Sequence, residues 1–358
     1  MGNPEMLWAI YKQMDLIRQV QGWMLHLGGA GPAETPYRVI LSTHGLKLRD
    51  YGPKNRTAPA LLLIPAPIKR AYLWDLSPQA SVVRTCLRNG ARVFLVEWGD
   101  PEWHCVKAGL AGYADSFILD CLKAIEAETG NPRVFLAGHS LGGTLAAIFA
   151  SLHPERLQGI ILLGSPLSFK NGIGPIWSMI EFLSQAQPVI MHWRYIPGSF
   201  LSTVSCAASP KTFLRDRWKD WLKSLPNAKA RDTHLRVTRW MLDEAPLTRQ
   251  LFIDVAERLY RRDCFMSGEL EIEGRRASPE LIYAPVLSVV DRSCSVAPPK
   301  SVLPFIEAVR SAEKKVIYYE GDSGTAIQHI GILIGESMLE HVWPQIVQWT
   351  HDRTKRSI

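Results

Sequence analysis

The six cysteines, Cys86, Cys105, Cys121, Cys206, Cys264 and Cys294, form no CxxC unit and show no metal-ligand spacing. That argues against a zinc or disulfide framework and for reduced thiols of a cytoplasmic protein. No apolar run is long enough to span a bilayer. Near the start of the chain Gln13 and Asp15 interrupt the apolar sequence, so the basic, apolar and small-residue order of a signal peptide is missing. No basic stripe with interleaved aromatics suggests nucleic acid, and no repeat or low-complexity tract is visible. The expectation is a cytoplasmic globular protein that works without metal or cofactor.

What is present is a chain of 358 residues, 47% of them hydrophobic, enough for one large core with an inserted subdomain. The formal charge of +7 favours anionic substrates such as phosphate-bearing thioesters, although soluble surfaces often carry a similar excess. Residues 6–27 place Leu7, Ile10, Tyr11, Met14, Ile17 and Met24 at helical spacing, with Leu16, Val20 and Trp23 widening the stripe. The plain expectation is a helix packed on the core. The sharper one is a face that docks a partner or a lipid-like surface.

Tyr37–Tyr51 reads as a β-hairpin turning at His44-Gly45. Short apolar runs follow at 60–64, 93–96, 134–137, 160–163, 286–290 and 316–319, the pattern of parallel strands covered on both faces. Helical segments are expected at 78–89, 109–129, 141–153, 298–312 and near 335–351. Alternating strand and helix implies an α/β fold with a doubly wound, mostly parallel sheet. The alternation breaks between about 169 and 282, a stretch rich in Trp and charge without a convincing buried strand. The expected organisation is therefore an N-terminal helix and hairpin region (1–54), a core (55–168 and 283–351) and a helical cap (169–282) inserted between the sixth and seventh core strands.

The chemistry centres on Gly138-His139-Ser140-Leu141-Gly142, a GxSxG box lying between an apolar strand and a helix. That context is the nucleophile elbow of the α/β-hydrolase fold, with Ser140 as the nucleophile toward acyl esters or thioesters. The helix N-terminus offers N–H groups and a positive dipole end to a developing oxyanion. A serine hydroxyl needs a base, and the chain order of the fold is nucleophile, acid, histidine. His329, in the loop after the last expected strand, has the right place. Asp291, at the end of the strand 286–290, is the expected acid, and Asp322, just before His329, is its rival. The oxyanion hole takes the N–H of Leu141 and one from the loop 64–68. Pro65 and Pro67 carry no N–H there, which leaves Ala66 or Ile68.

Over residues 36–351 these segments resemble the polyhydroxyalkanoate synthases, especially the short ones that work with a partner subunit. Residues 61–77 (LLLIPAPIKRAYLWDLS) are similar to the family's "IVPPxINxxYILDL" segment, and that match favours Ile68 as oxyanion donor. Arg239–Pro246 resembles its cap signature, and Gln328–Gly335 the loop bearing its catalytic histidine. The resemblance implies an acyl-CoA or acyl ester substrate, and a homodimer or partner subunit. The family uses a cysteine where this chain has Ser140. Its acid, in a run like "GxxDHIVPP", aligns without gaps on Cys294, with Ser295 at the neighbouring histidine. A serine oxyester is a less activated intermediate than a thioester, so the change points toward hydrolysis.

Three readings follow. One is a serine acyl hydrolase or acyltransferase on hydroxyacyl esters and thioesters. Another is a synthase that polymerises (R)-3-hydroxyacyl-CoA. The last is a non-catalytic relative that binds granules or a synthase, motivated by the altered acid position.

Overall fold

The computed structural model describes residues 3–43, 45–52, 58–101, 108–170, 188–243 and 245–356. His44, at the expected hairpin turn, and Trp177, in the expected cap, lie outside them.

An eight-stranded sheet forms the centre. Its strands are β1 (Arg38–Ser42), β2 (Leu46–Asp50), β3 (Ala60–Ile64), β4 (Arg92–Trp98), β5 (Val134–His139), β6 (Leu157–Leu163), β7 (Val286–Asp291) and β8 (Lys314–Tyr319). The spatial order is β1-β2-β4-β3-β5-β6-β7-β8. Only β2 runs against its neighbours; β3 through β8 are parallel. Every residue of β3, β5, β6 and β7 is buried. Successive side chains point to opposite faces. Leu62, Ile64, Leu136, Ile160 and Leu162 thus enter one core, and Leu61, Leu63, Phe135, Ile161 and Leu163 the other. Burial on both sides is why these strands are continuously apolar, each large side chain contributing roughly 1.5–3 kcal/mol.

Among the described residues the α-helices of seven residues or more, in chain order, are α1 (Pro4–Leu25), α2 (Val82–Arg88), α3 (Phe117–Thr129), α4 (Leu141–Leu152), α5 (Gly198–Ala208), α6 (Arg217–Ser224), α7 (Ala228–Leu242), α8 (Pro299–Ala308), α9 (Gln328–Ile334) and α10 (Trp343–Arg356). Side chains of α3, α4 and α8 fill the first core, and those of α2, α9 and α10 the second. Among the described residues no helix is long and apolar enough to cross a membrane.

Between β6 and β7 the described chain is helical in α5, α6 and α7 and in the shorter helices Arg249–Asp254 and Cys264–Ser267. It also carries two short ribbons, Tyr195–Ile196 with Leu247–Thr248 and Leu270–Ile272 with Arg275–Ala277. Segments of two or three residues are too short to show an alternating pattern.

The first helix departs from expectation. It forms, with Asn3 accepting from the Glu5 N–H at its start, but only Leu7 and Tyr11 of its stripe pack against the core. Gly22 is its only buried described residue. Ile10, Ile17 and Met24 are 47%, 57% and 61% exposed, so this part of the apolar stripe faces solvent. The helix packs by Tyr11, Asp15 and Gly22 on the inserted helices, with Ser199 of α5 donating its N–H to Asp15 (2.6 Å) and its hydroxyl to the Tyr11 carbonyl (2.6 Å).

Candidate active site

β5 ends at His139 and α4 begins at Leu141, which leaves Ser140 on the turn between them. Its φ of 54° and ψ of −129° are rare for an L-residue, a strain of order 1–3 kcal/mol. The backbone is fixed on both sides. Ser140 N–H donates to the Leu163 carbonyl (3.0 Å), and the Ser140 carbonyl accepts from Gly143 and Thr144 (3.0 and 3.2 Å). A Cβ on Gly142 would lie 2.2 Å from the Ile64 carbonyl oxygen, and one on Gly138 2.4 Å from Gly143 Cα. Glycine at 142 lets the loop after β3 close on the elbow, and glycine at 138 lets the start of α4 fold back against β5. Ile68 from that loop and Leu141 line, with Ser140, an apolar chamber of about 150 Å³. Ala66 and Ile68 also line a larger cavity of about 310 Å³, in which both Ser140 and His329 take part.

His329 sits in the first turn of α9 and is buried. Its Nε2 is buried and makes no hydrogen bond, so it is not bonded to the Ser140 hydroxyl in this state. Its Nδ1 faces Cys294 Sγ at 3.4 Å, and Sγ also receives the Ala297 N–H (3.3 Å). The His139 ring lies over it with 4.6 Å between centroids. His139 Nε2 is 2.9 Å from the His329 carbonyl. A carbonyl only accepts, so the proton of His139 resides on Nε2. Burial, with His139 alongside, holds the His329 imidazole well below its ordinary value, and burial pushes His139 down to about 4. Both rings are neutral at pH 7.

The two candidate carboxylates are placed elsewhere. Asp291 ends β7 and is buried; its Oδ1 accepts from the Ser293 N–H (2.7 Å) and hydroxyl (2.8 Å), while Oδ2 is buried without a partner. Asp322 accepts from Tyr319 (3.0 Å) and from the hydroxyl and N–H of Ser337 (2.7 and 3.2 Å). Among the described residues neither carboxylate hydrogen-bonds His329. The group at Nδ1 is the Cys294 thiol, which burial, the largest influence, pushes up to about 11 and so keeps protonated.

A third carboxylate, Asp220 on α6, braces the loop that carries His329. It accepts from the N–H groups of Gly324 (2.9 Å) and Ala326 (2.8 Å) and is 2.8 Å from His234 Nδ1 on α7. Gly324 and Ala326 both have positive φ, 81° and 60°, so these contacts hold a strained turn.

Comparisons with known proteins bear on the fold. A sequence profile of the alpha/beta hydrolase fold matches residues 59–186. The poly(3-hydroxyalkanoate) polymerase subunit PhaC of Haloferax mediterranei is 26% identical over 326 residues, covering 90% of this chain and 65% of its own length. The subunit of the same name from Allochromatium vinosum is 22% identical over 350 residues, covering 96% of both chains. Among solved structures, a monoacylglycerol lipase of Paleococcus ferrophilus superposes with a TM-score of 0.53 at 16% identity, over 86% of this chain and 99% of that one. A carboxylesterase structure from Nitrososphaera gargenis reaches 0.52 at 14% identity, over 90% and 100%. The chain is an α/β-hydrolase-fold enzyme, similar to the polyhydroxyalkanoate polymerase subunits. The fold and these relatives are those of hydrolases and synthase-like acyltransferases.

In this α/β-hydrolase fold, then, Ser140, Leu141, Ile68 and His329 converge on connected space, and Asp291 and Asp322 do not reach His329. Residue-by-residue reading of the sequence missed the part of His139, whose place inside the box carries no signal of its reach to the His329 carbonyl. It also missed the cavity-lining arginines Arg18 and Arg217, which come from α1 and α6 and meet only in three dimensions.

Proposed function

We propose that the enzyme is a serine acyl hydrolase or acyltransferase acting on hydroxyacyl esters or thioesters through an acyl-serine intermediate. The carrying observation is Ser140 on a strained elbow beside both an apolar chamber and a buried neutral imidazole. In this reading His329 Nε2 removes the Ser140 proton as Oγ attacks the acyl carbon, and the N–H groups of Leu141 and Ile68 receive the oxyanion. The protonated His329 then passes its proton to the leaving thiolate or alkoxide. Water or an alcohol, deprotonated by the same nitrogen, releases the acyl group. For Nε2 to accept, Nδ1 must carry the ring's proton and donate it to Cys294 Sγ. The thiol orients the ring there but supplies no negative charge to the imidazolium.

Polymer synthesis is the second reading, supported by relatives named polymerase subunits that match 90% or more of this chain. The experiment is incubation with a 3-hydroxybutyryl thioester, native protein against Ser140→Ala, followed by product analysis. Free hydroxy acid from the native protein alone supports the hydrolase. Polymer supports the synthase reading. Turnover that survives Ser140→Ala refutes both.

A further inference from the structure

A groove of about 330 Å³ runs between α6 and α7, large enough for a small molecule. Its apolar walls are Trp218 and Trp221 of α6 and Leu235 of α7, and Trp218 is 68% exposed, so the groove is open to solvent. Arg217 stands at the end it shares with the catalytic cavity, and no carboxylate lines it among the described residues. His234 and Thr238, four residues apart on one face of α7, also line it. Both have hydrogen-bonding capacity that the fold leaves unused. Thr238 Oγ1 is buried without a partner among the described residues, a cost of about 1–3 kcal/mol. His234 is buried with Nδ1 2.8 Å from Asp220 Oδ2, and its Nε2 makes no hydrogen bond among the described residues.

The Asp220 carboxylate only accepts, so His234 Nδ1 carries a proton, and in the neutral ring Nε2 is an acceptor. One group satisfies both positions: the O–H of an alcohol donates to Nε2 while its oxygen accepts from the Thr238 hydroxyl. The walls call for an apolar body behind that hydroxyl. His234 is also the link to the catalytic base. Its partner Asp220 accepts from the Ala326 N–H at the same Oδ2 (2.8 Å) and from the Gly324 N–H at Oδ1 (2.9 Å). Donation to Nε2 polarises the imidazole and strengthens the hydrogen bond at Nδ1. We infer that this groove is a regulatory site for a small neutral alcohol with an apolar body, which firms, through His234 and Asp220, the turn that presents His329. Occupancy of the groove and order in the turn are then linked reciprocally. The site is independent of the acyl-serine reading; only its effect on turnover rests on it.

The test uses the whole chain and two isomers, 1-hexanol and pentyl methyl ether, the second of which lacks the O–H. Titrated into native protein, hexanol changes tryptophan fluorescence saturably, and the ether binds at least fivefold more weakly. Thr238→Val weakens hexanol binding to the same degree without lowering the Tm of the unliganded protein, because the hydroxyl it removes has no partner to lose. Trp218→Phe with Trp221→Phe abolishes the signal, which separates this groove from the catalytic chambers. The link to the base is read by amide exchange. Hexanol that saturates the native protein slows exchange across residues 324–326 at least threefold there, and leaves it unchanged in Thr238→Val. A fluorescence change that persists in the double Phe variant, ignores Thr238→Val or is equal for the two isomers overturns the site. Saturable binding with unaltered exchange overturns the regulation. Slowed exchange in a protein that turns over no ester supports the site and counts against the acyl-serine reading alone.

Discussion

Replacing Cys294 by aspartate should raise activity. Cys294 Sγ lies 3.4 Å from His329 Nδ1 and is buried, so a carboxylate at this position would meet the imidazole directly. The Ala297 N–H, 3.3 Å from Sγ, offers it a second donor and offsets part of its desolvation. A hydrogen bond to a charged group contributes about 1.5–3 kcal/mol net. At 1.36 kcal/mol per unit, that raises the pKa of His329 by about 1–2 units from its depressed value. The same energy stabilises the imidazolium formed as Ser140 attacks, a gain of about tenfold to a hundredfold in kcat. The sign for pH follows directly. A higher imidazole pKa means protonation at higher pH, so the acid limb of the kcat profile moves upward by the same 1–2 units. The assay is kcat against pH on p-nitrophenyl butyrate for native protein, Cys294→Asp and Cys294→Ser. The serine variant should show no upward shift of the limb. A folded Cys294→Asp protein with unchanged kcat and an unmoved limb would refute the idea that residue 294 governs the base.

Other perturbations follow from the same geometry. Gly142→Ala places a methyl 2.2 Å from the Ile64 carbonyl oxygen, a backbone clash that should lower Tm by 10 °C or more or prevent soluble expression; an unchanged melt contradicts it. Asp220→Ala leaves two buried N–H groups and His234 without their acceptor. At about 1–3 kcal/mol for each unsatisfied group, it should cost stability in urea melts and lower kcat together. Low pH should destabilise the fold in part through His139. Its folded value of about 4 lies below the ordinary 6.5, so the unfolded chain binds the proton first and stability falls as pH drops from about 6.5 to about 4. The loss is at most about 3 kcal/mol. Urea titrations at pH 7 and pH 4.5 should differ less in His139→Gln, and an identical difference refutes the assignment.

The parts of the fold visible in the sequence are those with a local cause. β3, β5 and β6 are legible because burial on both faces forces continuous apolar runs, and the elbow because its strain leaves room only for glycine around Ser140. α1 is legible as a helix, since periodicity is local, but not in orientation, since what its stripe faces is decided by the distant helices that hold its other side. The acid is the instructive miss. Asp291 is the last residue of β7, but the chain turns at once and Ser293 takes one of its oxygens. The turn delivers position 294 to the imidazole, the position on which the acid of the synthases aligns.

Asp220 ties two things that an enzyme with a simple lid would keep apart. It belongs to a helix over the site, yet it shapes the strained turn that presents the base. Lifting α6 therefore slackens the strand of backbone on which His329 rides. Any displacement of α6 would therefore be felt at the base, since the contacts that shape the turn before His329 would be lost with it.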